Sequence, residues 1–333
     1  MGLNLNILAY RTFVASVLTF IMQLAVDSGE LEVQFQAVLR RLAPGPGNWA
    51  SVSDLCNLHL FGFRYSFVNP QCTSLAAKLR VIAFIAPDCR ERSKDLEALR
   101  LRFRRRPFGK WHGQRFFEIL ATAQEYLQKN GITCQRVLDL LSQHKGPPAS
   151  FQRAAEKLIL KSLQRPYYPE ARLRQKMVRW KLIGVPGILE RRVLKVCSLL
   201  QERCAPKVLA AYFRALWNGW VTDARFRSLI ESTSGCIRCC ALGCPDAPDS
   251  LDHYCLCPVF WGFVNCSDAH GLGLSTLTRS RNTFFLVADG LLPAQCIRLA
   301  SGIYGLHRTV QALRHNQFSG CVRRFLHNFT KLA

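Results

Sequence analysis

Residues 236–257 read CIRCCALGCPDAPDSLDHYCLC, and the reading of the chain starts from them. Cys236 and Cys239 form one close pair and His253 and Cys257 another, giving Cys-x2-Cys-x13-His-x3-Cys. A close pair lets one turn of backbone present two ligands to a single ion, and two pairs complete a tetrahedron. Thiolate and imidazole ligands without an oxygen donor favour zinc. Cys240, Cys244 and Cys255 compete for the same roles: each could replace Cys239 or Cys257, or be a small buried residue. Asp246, Asp249 and Asp252 are candidates to orient His253 through its second ring nitrogen. A shell closed by four such ligands leaves no position for an activated water, so the expected role of one Zn2+ is structural.

Working outward, the flanking chain is helical in pattern. Upstream, Pro206 suits a first helical turn, Leu209, Tyr212, Phe213 and Leu216 make an apolar stripe, and Asn218-Gly219 stops it. The following segment, with Arg225 and Arg227, completes a helix-break-helix outline. That outline fits a duplex backbone or a pair of core helices. Downstream, Pro293 opens a long helix to about Arg314. Further upstream the spacing predicts a helix ending at Leu42, stopped by Ala43-Pro44-Gly45-Pro46-Gly47, and a short one capped by Ser53 or Asp54. It also predicts a helix over 74–85, a hairpin over 116–145 turning at Asn130-Gly131, and helices over 151–161, 172–181 and 188–200. Thr12 to Val26 is apolar, but 15 residues fall short of the ~20 that span a bilayer, so a buried helix is expected there. The fold class is therefore mainly α: helical thumb-like and connector bundles with one small structural zinc module. The expected divisions are 1–115, 116–230, 231–262 and 263–333.

Composition narrows the partners. Lys and Arg number 45 against 22 Asp and Glu, a net charge of +23, which points to a polyanion. RNA or DNA is the expected partner; a small-molecule substrate and a membrane are not. Fifteen cysteines, an odd number spread along the chain, argue against a disulfide framework and for a reducing nuclear or cytoplasmic setting. Between Arg100 and Arg115 cations alternate with Phe103, Phe108 and Trp111 and no acid intervenes. Cations neutralise phosphates while aromatic faces stack on unpaired bases. The same run also reads as a solvated helix face. Candidate contacts are Arg102, Arg104, Arg105, Arg106, Lys110, Trp111, Arg179, Arg214, Trp220 and Arg225.

No catalytic centre emerges. The chain has no phosphate-binding Gly-x-x-x-x-Gly-Lys-Ser/Thr loop, no Gly-x-Ser-x-Gly elbow, no His-Glu-x-x-His and no Asp-Asp pair for two magnesium ions. The zinc-deaminase pattern is absent too.

Arg214-Ala-Leu-Trp-Asn-Gly-Trp-Val-Thr-Asp-Ala-Arg-Phe226, the cysteine pair, and Asp249-Ser-Leu-Asp-His-Tyr-Cys-Leu-Cys257-Pro258 together resemble the region after the polymerase core of LINE-type (non-LTR) retrotransposon reverse transcriptases. There an arginine- and tryptophan-bearing helix ends in an Asn-Gly-Trp corner and a Cys-Cys-His-Cys knuckle follows. The resemblance implies knuckle ligands at Cys236, Cys239, His253 and Cys257 and a role in holding template RNA or target DNA. Residues 14–24, the turn at 45–49 and the helix over 297–316 are similar to flanking thumb-side and post-knuckle helices. The Phe/Tyr-x-Asp-Asp palm motif is missing, so the expectation is a post-palm portion without polymerase or nuclease activity by itself. Its palm partner would be encoded upstream in a full element. A zinc-stabilised helical module for protein contacts is the alternative.

Overall fold

The computed structural model describes residues 2–21, 29–46, 49–85, 112–143, 147–163, 167–222, 224, 240–245, 247–266 and 271–314. Cys236, Cys239, Arg102, Arg104, Arg105, Arg106, Lys110, Trp111 and Arg225 lie outside these described residues. Among the described residues the chain is mainly α-helical, with no β-strand.

In chain order the helices are α1 (Leu3–Ala9), α2 (Ser16–Ile21), α3 (Gly29–Leu42), α4 (Val52–Cys56), α5 (Pro70–Ile85), α6 (His112–Lys129) and α7 (Cys134–Gln143). They continue as α8 (Pro148–Leu163), α9 (Pro169–Arg179), α10 (Ile188–Arg203), α11 (Pro206–Leu216), α12 (Leu251–Tyr254), α13 (Pro258–Cys266), α14 (Arg281–Phe284) and α15 (Pro293–Arg314). A π-helical stretch, Tyr10–Ala15, joins α1 to α2.

Two compact units form, both discontinuous in sequence: one from Met1–Ile7, Arg40–Ser66 and Tyr168–Ala333, the other from Leu8–Leu39 and Phe67–Tyr167. The linear divisions at 115, 230 and 262 run differently from these units.

The first unit is built around α11. Val208, Leu209, Ala210, Ala211, Tyr212, Phe213, Ala215 and Leu216 are all buried, Lys207 and Arg214 being its charged residues, and the helix packs against α10 and α15. Phe213 stacks on Trp217 with centroids 3.9 Å apart, and Phe61, Phe63 and Trp49 close around them. The helix ends where Asn218 turns left-handed and the Gly219 N–H returns to the Arg214 carbonyl. Gly219 also makes room: a Cβ there would stand 2.6 Å from the Trp49 ring. Ser51, and not Ser53 or Asp54, caps α4. Its hydroxyl accepts the Asp54 N–H while the Asp54 carboxylate accepts the Ser51 N–H, a reciprocal capping box.

In the second unit α5 lies against α8. Leu75, Ala76 and Leu79 meet Phe151, Ala155 and Ile159, and small alanines at 76 and 155 allow a close approach. Ala123, Leu127 and Ile132 from the hairpin of α6 and α7 fill the same core, as the Asn130-Gly131 turn predicts.

The apolar stretch from Thr12 is helical through Ile21 but is not buried as expected. Tyr10 turns inward onto Phe35 and Phe67, whereas Phe13, Val17 and Phe20 stand 72%, 55% and 69% exposed. The π-helical stretch Tyr10–Ala15 includes Phe13, and Tyr10 is its one buried residue. No helix among the described residues is long and apolar enough to cross a membrane.

Candidate metal centre

Two tight corners bring four ligands together. Cys240 and Cys244 flank a turn in which the Gly243 N–H returns to the Cys240 carbonyl, with Gly243 at φ +86°. The Cys240 N–H in turn donates to the Ala247 carbonyl at 2.7 Å. On the other side Ser250 caps α12 by accepting the His253 N–H at 3.1 Å, which fixes the one-turn helix that carries the imidazole. Cys257 stands at the entrance of α13, its carbonyl accepting the Trp261 N–H.

The ligand atoms of Cys240, Cys244, His253 and Cys257 all lie within 4.8 Å of one another. The Cys244 and Cys257 sulfurs are 3.4 Å apart and those of Cys240 and Cys257 are 4.0 Å apart. Zinc–sulfur bonds of ~2.3 Å at tetrahedral angles place two sulfurs ~3.8 Å apart, between these values. The three cysteines are buried, and His253 Nε2 is buried without a hydrogen-bond partner, as a nitrogen reserved for a metal would be. These residues fit a single metal ion, and the donor set of three thiols and an imidazole fits zinc.

Charge is already arranged for it. The hydrogen bond from Cys257 lowers the Cys240 thiol below the ordinary range, and the same contact, with burial, pushes Cys257 up. Burial holds Cys244 up as well. A dication is the charge that lets all three ionise together.

Behind the ligands, the Tyr254 hydroxyl donates to Asp249 Oδ1 at 2.6 Å and accepts the Ala241 N–H at 3.2 Å. It ties the cysteine turn to the loop before α12. Asp252 pairs with Arg281 at 3.2 Å, and Asp246 lies outside the described residues. Cys255 is fully buried beside the cluster and is a core thiol. Tyr254→Phe is expected to keep the ring and lose both bonds, leaving the buried Asp249 carboxylate short of a donor. Metal affinity should drop by roughly 10–100-fold in a competition titration against a chelator.

Sequence and structure agree on His253 and Cys257. The cysteines that reach them among the described residues are Cys240 and Cys244, both named as competitors from spacing. The signal for them was Gly243, which permits the turn that folds one cysteine back over the other.

The proposed nucleic-acid residues fall in different places. Arg179 is exposed at the end of α9, its guanidinium 5.9 Å from the Trp180 ring. Arg214 is half-buried over Trp49, 5.4 Å from the ring, and burial lowers its pKa to about 10. Trp220 is 1% exposed between Tyr254 and His307, so its ring supports the core and has no open face for a base to stack on. The rest of basic α9 is largely spoken for. Arg172 pairs with Asp54, Arg174 with Glu190, and Lys176 lies over Trp217. No family model, curated protein or solved structure matches the chain.

Proposed function

We propose that this chain is a zinc-stabilised helical protein that binds RNA or DNA, kin to the post-palm part of LINE-type reverse transcriptases. In that setting it holds template RNA or target DNA during target-primed reverse transcription, with neither polymerase nor nuclease activity by itself. The observation that carries the reading is the Cys240–Cys244–His253–Cys257 cluster, in the segment that resembles the retrotransposon knuckle, on a chain of net charge +23. The metal clamps a short loop, and cations distributed over the chain supply the attraction for phosphates.

The test is the salt dependence of binding to a 20-nucleotide RNA and to a duplex of the same length. Each neutralised phosphate contributes a slope of about −0.7 to −0.9 on a log–log plot, so six or more contacts cost about 10³ in affinity between 50 and 200 mM salt. A flat plot, or no binding at low salt, refutes the reading.

A specific observation favours a second reading, a helical module for protein contacts. Arg172 and Arg174 are held in internal ion pairs, so part of the positive charge is spent inside the fold. That reading predicts binding that is insensitive to salt.

A further inference from the structure

The turn between α9 and α10, with the helix ends that flank it, exposes aliphatic side chains. Val178 is 73% exposed, Ile183 83%, Val185 62% and Ile188 45%, with exposed Pro186 among them. Scattered apolar residues on a surface need no explanation, but two in one short turn with one more at each flanking helix end mark a contact site.

The turn is held in one shape from several directions. Asn282, on α14, grips Ile183 at both ends of its backbone: its Nδ2 donates to the Ile183 carbonyl at 2.6 Å, and its Oδ1 accepts the Ile183 N–H at 3.1 Å. The chain leaves α9 through Lys181 at φ +50°, a left-handed conformation in a residue other than glycine. Gly184 follows with φ +155°, and a Cβ there would stand 2.8 Å from Leu189. The Gly187 N–H donates to Glu190, whose other oxygen accepts Arg174 Nε at 2.8 Å. These bonds fix the backbone at Ile183, whose side chain stands in water.

Charge identifies the partner's sign. From Arg172 to Arg192 the sole acid is Glu190, which is 1% exposed, whereas Arg179, Lys181 and Arg191 are exposed around the tip. The partner is a polyanion that also accepts an aliphatic wedge. A nucleic acid meets both demands, since apolar side chains enter between base steps while flanking cations hold the phosphates. The tip residues Val178, Ile183, Val185, Pro186 and Ile188 include no Trp, Tyr or Phe, the anchors of a lipid headgroup layer. A wedge that keeps bases apart must also be stiff, which the Asn282 grip provides.

We propose that Ile183, backed by Val185, is a rigid wedge that unstacks a base step of bound nucleic acid. This rests on the nucleic-acid reading above. The experiment uses the full chain and a panel of duplexes with a single-stranded overhang, each carrying 2-aminopurine at the junction or at one internal step. Wild-type protein is expected to raise the fluorescence at one position as that base unstacks. The Ile183→Ala, Val185→Ala double variant should lose the rise and about tenfold in affinity, with an unchanged salt slope because the phosphate contacts remain. Both side chains face solvent, so the variant folds. Asn282→Ala, which keeps the wedge but frees its backbone, should also diminish the rise.

Salt-dependent binding with no fluorescence rise at any position, or a rise that survives the double variant, overturns the wedge and leaves the nucleic-acid reading standing. Failure of the wild type to bind any duplex or RNA overturns both. Sedimentation with phosphatidylserine–phosphatidylcholine vesicles that the double variant abolishes overturns the wedge in favour of a lipid surface.

Discussion

Cys240→Ser, Cys244→Ser and Cys257→Ser are each expected to abolish retention of about one zinc per chain, whereas Cys236→Ser and Cys239→Ser leave it bound. The first three remove a sulfur from a cluster whose ligand atoms already lie within 4.8 Å of one another. Three ligands left around a buried ion leave its shell open and its charge less compensated. Structural zinc contributes an apparent ~10–16 kcal/mol in small modules, so its loss removes the order of the loop and not only the ion. Metal analysis of freshly reduced protein, with limited proteolysis between 240 and 257, measures both effects. If Cys236→Ser or Cys239→Ser strips the metal and Cys240→Ser or Cys244→Ser does not, the pair first suggested by spacing holds the ion. Acid should act in the same direction as the three substitutions. Cys244 and Cys257 are held above the ordinary thiol range in the absence of a dication, so metal and protons compete for their sulfurs. Occupancy therefore falls as pH falls, and chelators should strip the ion faster at pH 5 than at pH 8.

How far the site could be read in advance follows from which part of it is local. His253 and Cys257 are four residues apart, joined by a tight turn in which the Leu256 N–H returns to the His253 carbonyl and the Cys257 N–H to that of Tyr254, so local structure brings them together. The opposite pair depends on which of several close cysteines the chain turns inward: regular spacing favours Cys236-x2-Cys239, whereas Cys240 and Cys244 are the ones placed beside His253 and Cys257 among the described residues. Helices show the same division. Pro293 begins α15 and Asn218-Gly219 ends α11 as expected, because prolines and left-handed residues act within a few residues of themselves. The capping residue of α4 is Ser51 because the helix begins at Val52, which makes Asp54 the third helical residue and the reciprocal partner of the capping box. The burial of Trp220 also depends on a distant neighbour, His307. The sequence shows the density of cations in α9 and not Asp54, more than a hundred residues away, that takes Arg172.

Asp54→Ala is the substitution expected to cost the fold most outside the metal centre. Asp54 is fully buried, and four donors converge on its carboxylate: Arg172 Nε at 2.9 Å, a terminal Arg172 nitrogen at 2.8 Å, Trp217 Nε1 at 3.1 Å and the Ser51 N–H at 3.0 Å. One side chain thus joins the cap of α4, the first turn of α9 and the end of α11. Removing it takes the partner of two donors from Arg172, whose side chain is 31% exposed and keeps its bond to Gln175, and leaves the buried Trp217 N–H without its acceptor. Breaking a buried pair from one side typically costs ~3–5 kcal/mol, larger than the ~1 kcal/mol of the cap alone. At ~2–4 °C per kcal/mol for a unit of this size, thermal unfolding followed by circular dichroism should shift down by roughly 10 °C. A loss of less than ~1 kcal/mol would show that Arg172 finds solvent readily and that the cap is all Asp54 supplies. The double variant Asp54→Ala, Arg172→Met separates the terms. It removes the stranded charge along with the carboxylate and should be more stable than Asp54→Ala alone, because the expensive state is an unmatched ion and not the absence of the pair.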